Sequence, residues 1–444
     1  MRLLNVLTLG FEEFLSEERR PPYMILSHRW GEDEVSFKEW RKGLKTSGQG
    51  YEKIIQCCEF IKARPNWPAR VWIDTICIDK RSSAELSEAC VPMIAINSMY
   101  RWYSQATVCI AYLSDVVGPW PSDEAEYLKR TLALLHGSAW FRRGWTLQEL
   151  IAPEWVLFCS AEWLVLGRKT PRSKTLTPDD TPDLIERLSE ITGIDSSVLE
   201  TPTLLTDRSI AQRMSWASRR KTTRPEDLAY SLLGLFSVNM PLLYGEGASR
   251  AFMRLQLEII RKSTDESIFA WERKMTDVPV FAWQEKPNSL WNGLLARSPE
   301  AFRDTGNIMS LCDEDPNQRL NLRRTGFLMD NKFFDGRTAY LMTNKGLEFR
   351  APAWLIREGP TNDYLVWLAC ARDISDKDDH LRVTTQIEQG VFPCFVILEA
   401  DSINVEKDRV RRTRHKYIYD WTRFPRETWQ DVGEKCFEIA QSGL

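Results

Sequence analysis

Tyr23-Met-Ile-Leu-Ser-His-Arg-Trp-Gly-Glu-Asp33 is the stretch whose reading decides the fold. An unbroken apolar run ends abruptly in hydroxyl, imidazole, guanidinium, indole and carboxylate groups. That is the pattern of a strand buried on both faces that delivers side chains to the carboxyl edge of a parallel sheet. Trp72-Ile-Asp-Thr-Ile-Cys-Ile-Asp-Lys80 has the same form, and Gly144-Trp-Thr-Leu-Gln-Glu-Leu150 follows as a third unusual segment. Sheets of this kind bind ligands outside that edge, so the polar tails of these runs are the first candidates for a site.

Working outward, residues 50–64 place Ile54, Ile55, Cys58 and Ile61 at helical spacing, and residues 71–78 read as a second strand. Ser82-Ser-Ala-Glu85 is a capping box that opens a helix running to about Tyr103, and residues 107–113 form a third strand. Strand, helix, strand, helix, strand predicts an α/β fold with a doubly wound parallel sheet. Residues 122–152 read as two helical pieces broken near Gly137, and 155–158 as a fourth strand. The Pro- and Thr-rich stretch 168–182 has linker composition. The expected organisation is therefore a first domain over 1–167, a linker over 168–182, a helical segment over 183–275 and a β-rich region over 276–444. Within the helical segment, Thr223-Arg-Pro-Glu226 is a capping box that opens a helix through Leu228, Leu232, Leu235 and Phe236. A second helix there carries Phe252, Leu255 and Ile259.

The chain has 444 residues, enough for two or three domains, and its 43% apolar and 27% charged content excludes disorder. A net charge of −3 points to no polyanion partner. The basic clusters Arg219-Arg-Lys-Thr-Thr-Arg224 and Arg409-Val-Arg-Arg-Thr-Arg-His-Lys416 lack interleaved aromatics and read as solvated surface. Ten scattered cysteines without a CxxC pair read as reduced thiols of an intracellular protein. The first ten residues are too short and too soon followed by glutamates for a secretory signal, and no run approaches the roughly 18 apolar residues of a membrane span. A cytoplasmic protein is expected. The four histidines lack ligand spacing, so no metal is expected, and neither a Walker motif nor a GxGxxG follows a strand.

Five segments in order carry a family resemblance: Ile25-Leu-Ser-His-Arg-Trp-Gly31, Trp72-Ile-Asp-Thr75 with Cys77-Ile-Asp-Lys80, Asn97-Ser-Met-Tyr-Arg-Trp-Tyr103, Tyr112-Leu-Ser-Asp115 and Arg143-Gly-Trp-Thr-Leu-Gln-Glu-Leu150. Together they resemble the fungal heterokaryon-incompatibility (HET) domain, with a core over about 20–165. The segment from Ala211-Gln-Arg-Met-Ser-Trp-Ala-Ser218 through Tyr244-Gly-Glu-Gly247 resembles its helical continuation. The resemblance implies non-self recognition and programmed cell death after hyphal fusion, with clustering of the chain with itself or with a receptor-type incompatibility partner. Against the family pattern, Cys90-Val-Pro-Met-Ile-Ala95 interrupts a helix, and a mid-helix Pro92 costs about 3 kcal/mol, so a kink or bulge is expected there.

More distantly, Leu26-Ser-His-Arg-Trp-Gly-Glu-Asp33 and Gly144-Trp-Thr-Leu-Gln-Glu-Leu150 are similar to the first-strand motif and the Trp-x-x-x-Glu-Leu helix of Toll/interleukin-1 receptor (TIR) domains. That likeness implies a TIR/flavodoxin-like sheet, NAD⁺ as a substrate rather than a cofactor, and Glu149 as the catalytic residue of its cleavage. The 33 residues between Asp115 and Glu149 exceed the usual TIR spacing, so an inserted helix must return Glu149 to the site.

Breaking the nicotinamide–ribose bond develops oxocarbenium charge on the sugar, which a nearby carboxylate stabilises, while nicotinamide leaves as a neutral group. Trp145 and Glu149 are four apart and share a helix face, with Trp140, Leu147 and Ile151 left to the core. Ser27, Arg29 and Trp30 offer a hydroxyl, a guanidinium and an indole, which fit ribose, pyrophosphate and an aromatic base. Asp79 and Ser114, at the ends of the next two strands, complete the expected substrate-binding set of Ser27, Arg29, Trp30, Asp79, Ser114 and Trp145. Plainer readings stay open: Glu149 pairing with Arg142 or Arg143 on a surface helix, His28 and Trp30 packing the loop, and Asp79 capping a helix. A non-catalytic module that acts by self-assembly or receptor recruitment is the alternative for the whole domain.

Overall fold

The computed structural model describes residues 1–79, 92–170, 181–271 and 294–310, with the strand segments 341–343, 346–357, 361–373, 391–401, 408–412 and 430–440. The chain folds as two compact units: 1–205 with 220–244, and 206–219 with 245–444.

In the first unit, strands β1 (Arg2–Asn5) and β2 (Phe11–Glu13) precede β3 (Met24–His28), helices α1 (Phe37–Lys42) and α2 (Gln49–Lys62), and β4 (Arg70–Ile73). A one-turn helix α3 (Asp74–Cys77), helix α4 (Pro92–Ser104) and β5 (Val108–Tyr112) follow. Then come α5 (Glu124–Gly137), a 3₁₀ turn over Ala139–Arg142, α6 (Thr146–Ile151), β6 (Val156–Cys159) and β7 (Val165–Lys169). The seven strands form one sheet in the order β2-β1-β4-β3-β5-β6-β7. Strands β4, β3, β5 and β6 run parallel, and β1, β2 and β7 add antiparallel edges. Numbered by chain order among themselves, the parallel strands lie 2-1-3-4, the flavodoxin-like winding whose topological switch point falls between the first and third. Here that point lies between β3 and β5, at the carboxyl end that carries Ser27 and His28.

The four parallel strands are continuous apolar runs because both faces of the sheet are covered. Ile25, Val71, Ile73, Cys109, Ile110, Ala111 and Phe158 are fully buried. The predicted α/β architecture is thus the one observed, and the antiparallel edges extend it. Strand β1 comes from the N-terminal decapeptide, whose Leu3 and Leu4 are fully buried, and β7 runs through Lys169, past the start of the expected linker.

Two elements are shorter than expected. The second strand stops at Ile73, where its ladder with β3 ends at the Leu26–Ile73 pair, and Asp74 opens α3. The expected Thr223–Glu226 capping box does not cap a helix: α10 (Asp227–Tyr230), which follows α7 (Ile185–Thr192), α8 (Ser196–Glu200) and α9 (Ile210–Ala217), starts from Glu226 without a side-chain cap and is one turn long. Beyond Tyr230 the chain runs through turns to Ser237, which adopts φ 52°, and Gly234 lies against the Tyr100 side chain, where a Cβ would sit 2.3 Å from the Tyr100 Cβ. The expected capping box at Ser82–Glu85 lies outside the described residues, and the described part of the interrupted helix begins at Pro92.

The second unit contains α9, α11 (Ala248–Ile260) and a seven-stranded sheet in the order β8-β11-β12-β13-β14-β10-β9. Its strands are β8 (Ile308–Ser310), β9 (Leu341–Thr343), β10 (Gly346–Arg357), β11 (Thr361–Asp373), β12 (Val391–Asp401), β13 (Asp408–Arg412) and β14 (Gln430–Ala440). Helix α9 is entered through a capping box between Ser209 and Gln212, and the Asp265 carboxylate accepts from the Ile210 amide at 2.7 Å.

Candidate functional site

At the switch point, Ser27 is wholly buried at the end of β3 and its Oγ donates to Oε2 of Glu149, which lies on α6 and is only 6% exposed. The Trp140 indole Nε1 donates to the same Ser27 Oγ at 2.9 Å, so the serine relays one hydrogen bond into the next. The Tyr103 hydroxyl, from α4, reaches the carboxylate as well and lies 3.5 Å from the Leu26 carbonyl. Beneath the helix, Cys109 Sγ on β5 lies 3.8 Å from the Glu149 carbonyl.

Burial raises the Glu149 pKa from 4.5 to about 7; the Asp74 charge pushes the same way, and the Ser27 and Tyr103 hydrogen bonds with the Arg143 charge oppose it. A carboxylate poised near neutrality can both hold a negative charge against a developing cation and accept a proton. The same burial and the Glu149 charge push the Tyr103 hydroxyl pKa up, so Tyr103 stays a donor.

At the edge of this cluster Trp30 is 38% exposed, its Nε1 donating to Asp74 Oδ2 at 2.7 Å and its ring lying 5.8 Å from the Arg143 guanidinium carbon. Buried His28 has Nε2 3.8 Å from both Asp74 Oδ1 and Glu34 Oε2. Glu34 Oε1 accepts from Lys53 Nζ at 2.6 Å and from the Gly31 amide at 2.8 Å, and the Asp33 carboxylate takes the Gln49 and Gly50 amides at the start of α2. These bonds fix the loop that carries Arg29 and Trp30.

Of the expected residues, the structure joins Ser27 directly to Glu149 and places Trp30 beside Asp74, a neighbour of Glu149 in charge. Arg29 is exposed on the same loop, and Ser114 is exposed in the turn after β5. Trp145 precedes α6, but its Nε1 goes to Asp227 Oδ2 at 3.1 Å, and Asp227 also takes the Tyr244 hydroxyl at 3.0 Å. Asp79 comes after α3, because β4 stops at Ile73. Asp74, rather than Asp79, stands at the strand end beside Trp30.

Sequence reasoning overlooked three contributors. Trp140 reads as a core residue, and it is buried there, yet its one polar atom serves Ser27. Tyr103 was recognised only as part of a motif. Arg220, expected on a solvated surface, is 7% exposed, and its Nη1 donates to the Arg143 carbonyl at 2.9 Å and to Thr146 Oγ1 at 3.0 Å. No spacing signal links Arg220, 71 positions further on, to Glu149. Among the described residues no His, Cys, Asp and Glu group is arranged to hold a metal ion, and no helix is long and apolar enough to cross a membrane.

The segment that builds β3, β4, β5 and the turn after it has a known counterpart. Residues 23–118 match the family Heterokaryon incompatibility protein (HET). Over those residues the chain is similar to the HET domain. A further segment, 250–335, matches a domain of unknown function (DUF8212). The chain is 42% identical over 241 residues to Vegetative incompatibility protein HET-E-1 of Podospora anserina, an alignment that covers 54% of this chain and 16% of that relative. The chain therefore spans about one sixth of the length of the curated relative that it matches. No solved structure matches it.

Proposed function

We propose that this HET-domain protein acts in heterokaryon incompatibility as a cell-death effector and that its first unit cleaves NAD⁺ when clustered, with Glu149 as the catalytic residue. The observation that carries this reading is the Glu149 carboxylate itself, held at the switch point by Ser27 with a pKa near 7. In the proposed step the bond between the ribose C1′ and the nicotinamide nitrogen breaks, and nicotinamide leaves with the electron pair. Ionised Glu149 stabilises the positive charge that grows on the sugar, water adds at C1′, and the carboxylate takes up the proton released as ADP-ribose forms. Low local dielectric strengthens that stabilisation.

Ser27 then orients the carboxylate rather than binding ribose, since its hydroxyl is already committed. Arg29 faces the pyrophosphate, Trp30 an aromatic base, and Ser114 lies on the same carboxyl edge of the sheet. Trp145 and Asp79 act on the surrounding structure. The buried state of Glu149 favours a second reading, in which the Ser27–Glu149–Trp140 chain only holds the fold and death follows from self-assembly or receptor recruitment.

Induced expression of the full chain in a compatible host separates the two. Under the enzyme reading Glu149→Gln, which keeps the shape and the Ser27 bond, abolishes killing and preserves cellular NAD⁺. Killing at the wild-type level by a soluble Glu149→Gln protein favours assembly instead.

A further inference from the structure

The turn that delivers Glu149 is built against a second chain segment far away in sequence. The Gly144 amide donates to the Lys221 carbonyl at 2.9 Å, and the Lys221 amide donates to the Arg142 carbonyl at 2.7 Å, so residues 142–144 and 221 pair like two short strands. The approach is close enough that a Cβ on Gly144 would sit 2.5 Å from Thr222 Cγ2. Arg220 enters beneath this pairing. Its guanidinium donates to the Arg143 carbonyl, just before α6, and to the Thr146 hydroxyl, at the first residue of that helix.

We propose that Arg220 is the positioning residue of the Glu149 site: it ties down the turn from which α6 starts and lends a buried positive charge to the carboxylate. This proposal rests on the reading of Glu149 as catalytic for its functional meaning, but the pairing itself does not. Burial draws the Arg220 pKa down to about 9, and the Glu149 charge pulls it back up, so the guanidinium stays charged at neutral pH. The groups that act most strongly on Glu149 are Ser27 from β3, Asp74 from α3, Arg143 from the turn and Tyr103 from α4, and the buried Cys109 thiol on β5 is coupled to it as well. Asp74 disfavours the ionised form, and Arg143 is partly open to solvent, where screening weakens its effect. Arg220 is a buried cation coupled to the same carboxylate, so it adds to Arg143 in keeping Glu149 ionised.

The proposal also redraws the working unit. The stretch 23–118 that matches the family contains neither Glu149 nor Arg220, and both belong to the compact unit formed by 1–205 and 220–244. Asp227, which holds the Trp145 indole, comes from the same returning segment as Arg220.

The test is the titration of Glu149 in the full-length protein, read by its carboxyl infrared band, identified by its loss in Glu149→Gln, together with the pH profile of nicotinamide release. Arg220→Gln retains hydrogen-bond donors and removes the charge; it is expected to raise the Glu149 midpoint and to move the acid limb of the rate profile upward by the same amount. Arg220→Lys retains the charge and is expected to leave the midpoint near the wild-type value, even where turnover falls through the lost fork. An unmoved midpoint in folded Arg220→Gln overturns the proposal, and so does a midpoint in Arg220→Lys raised well above wild type. If clustered wild-type protein releases no nicotinamide, the enzyme reading fails alone, since the infrared titration still reports whether Arg220 acts on Glu149.

Discussion

Glu149 is the residue where stability and the proposed function oppose each other. Its pKa is raised from 4.5 to about 7 in the fold, so between those values the native protein binds more protons than the unfolded chain, and its contribution to stability falls as pH rises through that window. Above pH 7 the buried carboxylate costs up to about 3 kcal/mol relative to its neutral form. Glu149→Gln, which stays neutral and can still accept from Ser27, is therefore expected to be more stable than wild type by about 1–3 kcal/mol at pH 8, with the gain fading below pH 5. Denaturant unfolding at both pH values checks this; a gain that does not depend on pH would mean that the carboxylate is not held in this way. That Glu149 and Ser27 belong together was legible from two motifs at strand and helix ends. That Trp140 and Arg220 join them was not, because each residue type has a commoner role in its own local pattern, in core packing and in solvated charge.

Helix α6 is short, six residues, and depends on its ends being held. Lys169, fully buried at the end of β7, donates from Nζ to the carbonyls of Leu150, Ile151 and Pro153 at 2.8, 3.2 and 2.6 Å. Three acceptors engage all three N–H groups of an ammonium, so although burial pulls the Lys169 pKa down to about 7, the helix carbonyls favour the charged form. Lys169→Met strips those carbonyls of their donor and is expected to destabilise the protein by about 2–4 kcal/mol, with faster exchange of the Ala152 amide. A Met variant as stable as wild type would show that the lysine does not hold the helix. The sequence placed 168–182 in a linker because Pro and Thr dominate it, and the strand that brings Lys169 carries no continuous apolar run. The parallel strands were legible for the opposite reason, their apolar runs being unbroken. The end of the second strand was misjudged because Ile76, Cys77 and Ile78 continue the apolar pattern through a helical turn that Asp74 begins.

For the whole molecule, the compact units cut across the linear order of the chain. Residues 206–219 leave the first unit and 220–244 return to it, which a left-to-right reading of composition does not reveal, since the basic cluster Arg219–Arg224 at the return reads as solvated surface and not as a boundary. A chain that ends at residue 205 lacks Arg220, Lys221 and Asp227 and is expected to lose the cooperative thermal unfolding of the full protein; a cooperative transition at the wild-type temperature would contradict the returning segment's role. The α/β class of the first unit followed from three strand-like runs, but the antiparallel edges did not, because short half-buried strands carry little periodic signal. The most direct measurement of the central claim is chromatography of NAD⁺ incubated with purified full-length protein, clustered by a tag, beside Glu149→Ala. The account predicts nicotinamide and ADP-ribose in equal amounts from the clustered wild type and neither from the variant, whereas intact NAD⁺ under clustering, or equal release by both proteins, would contradict it.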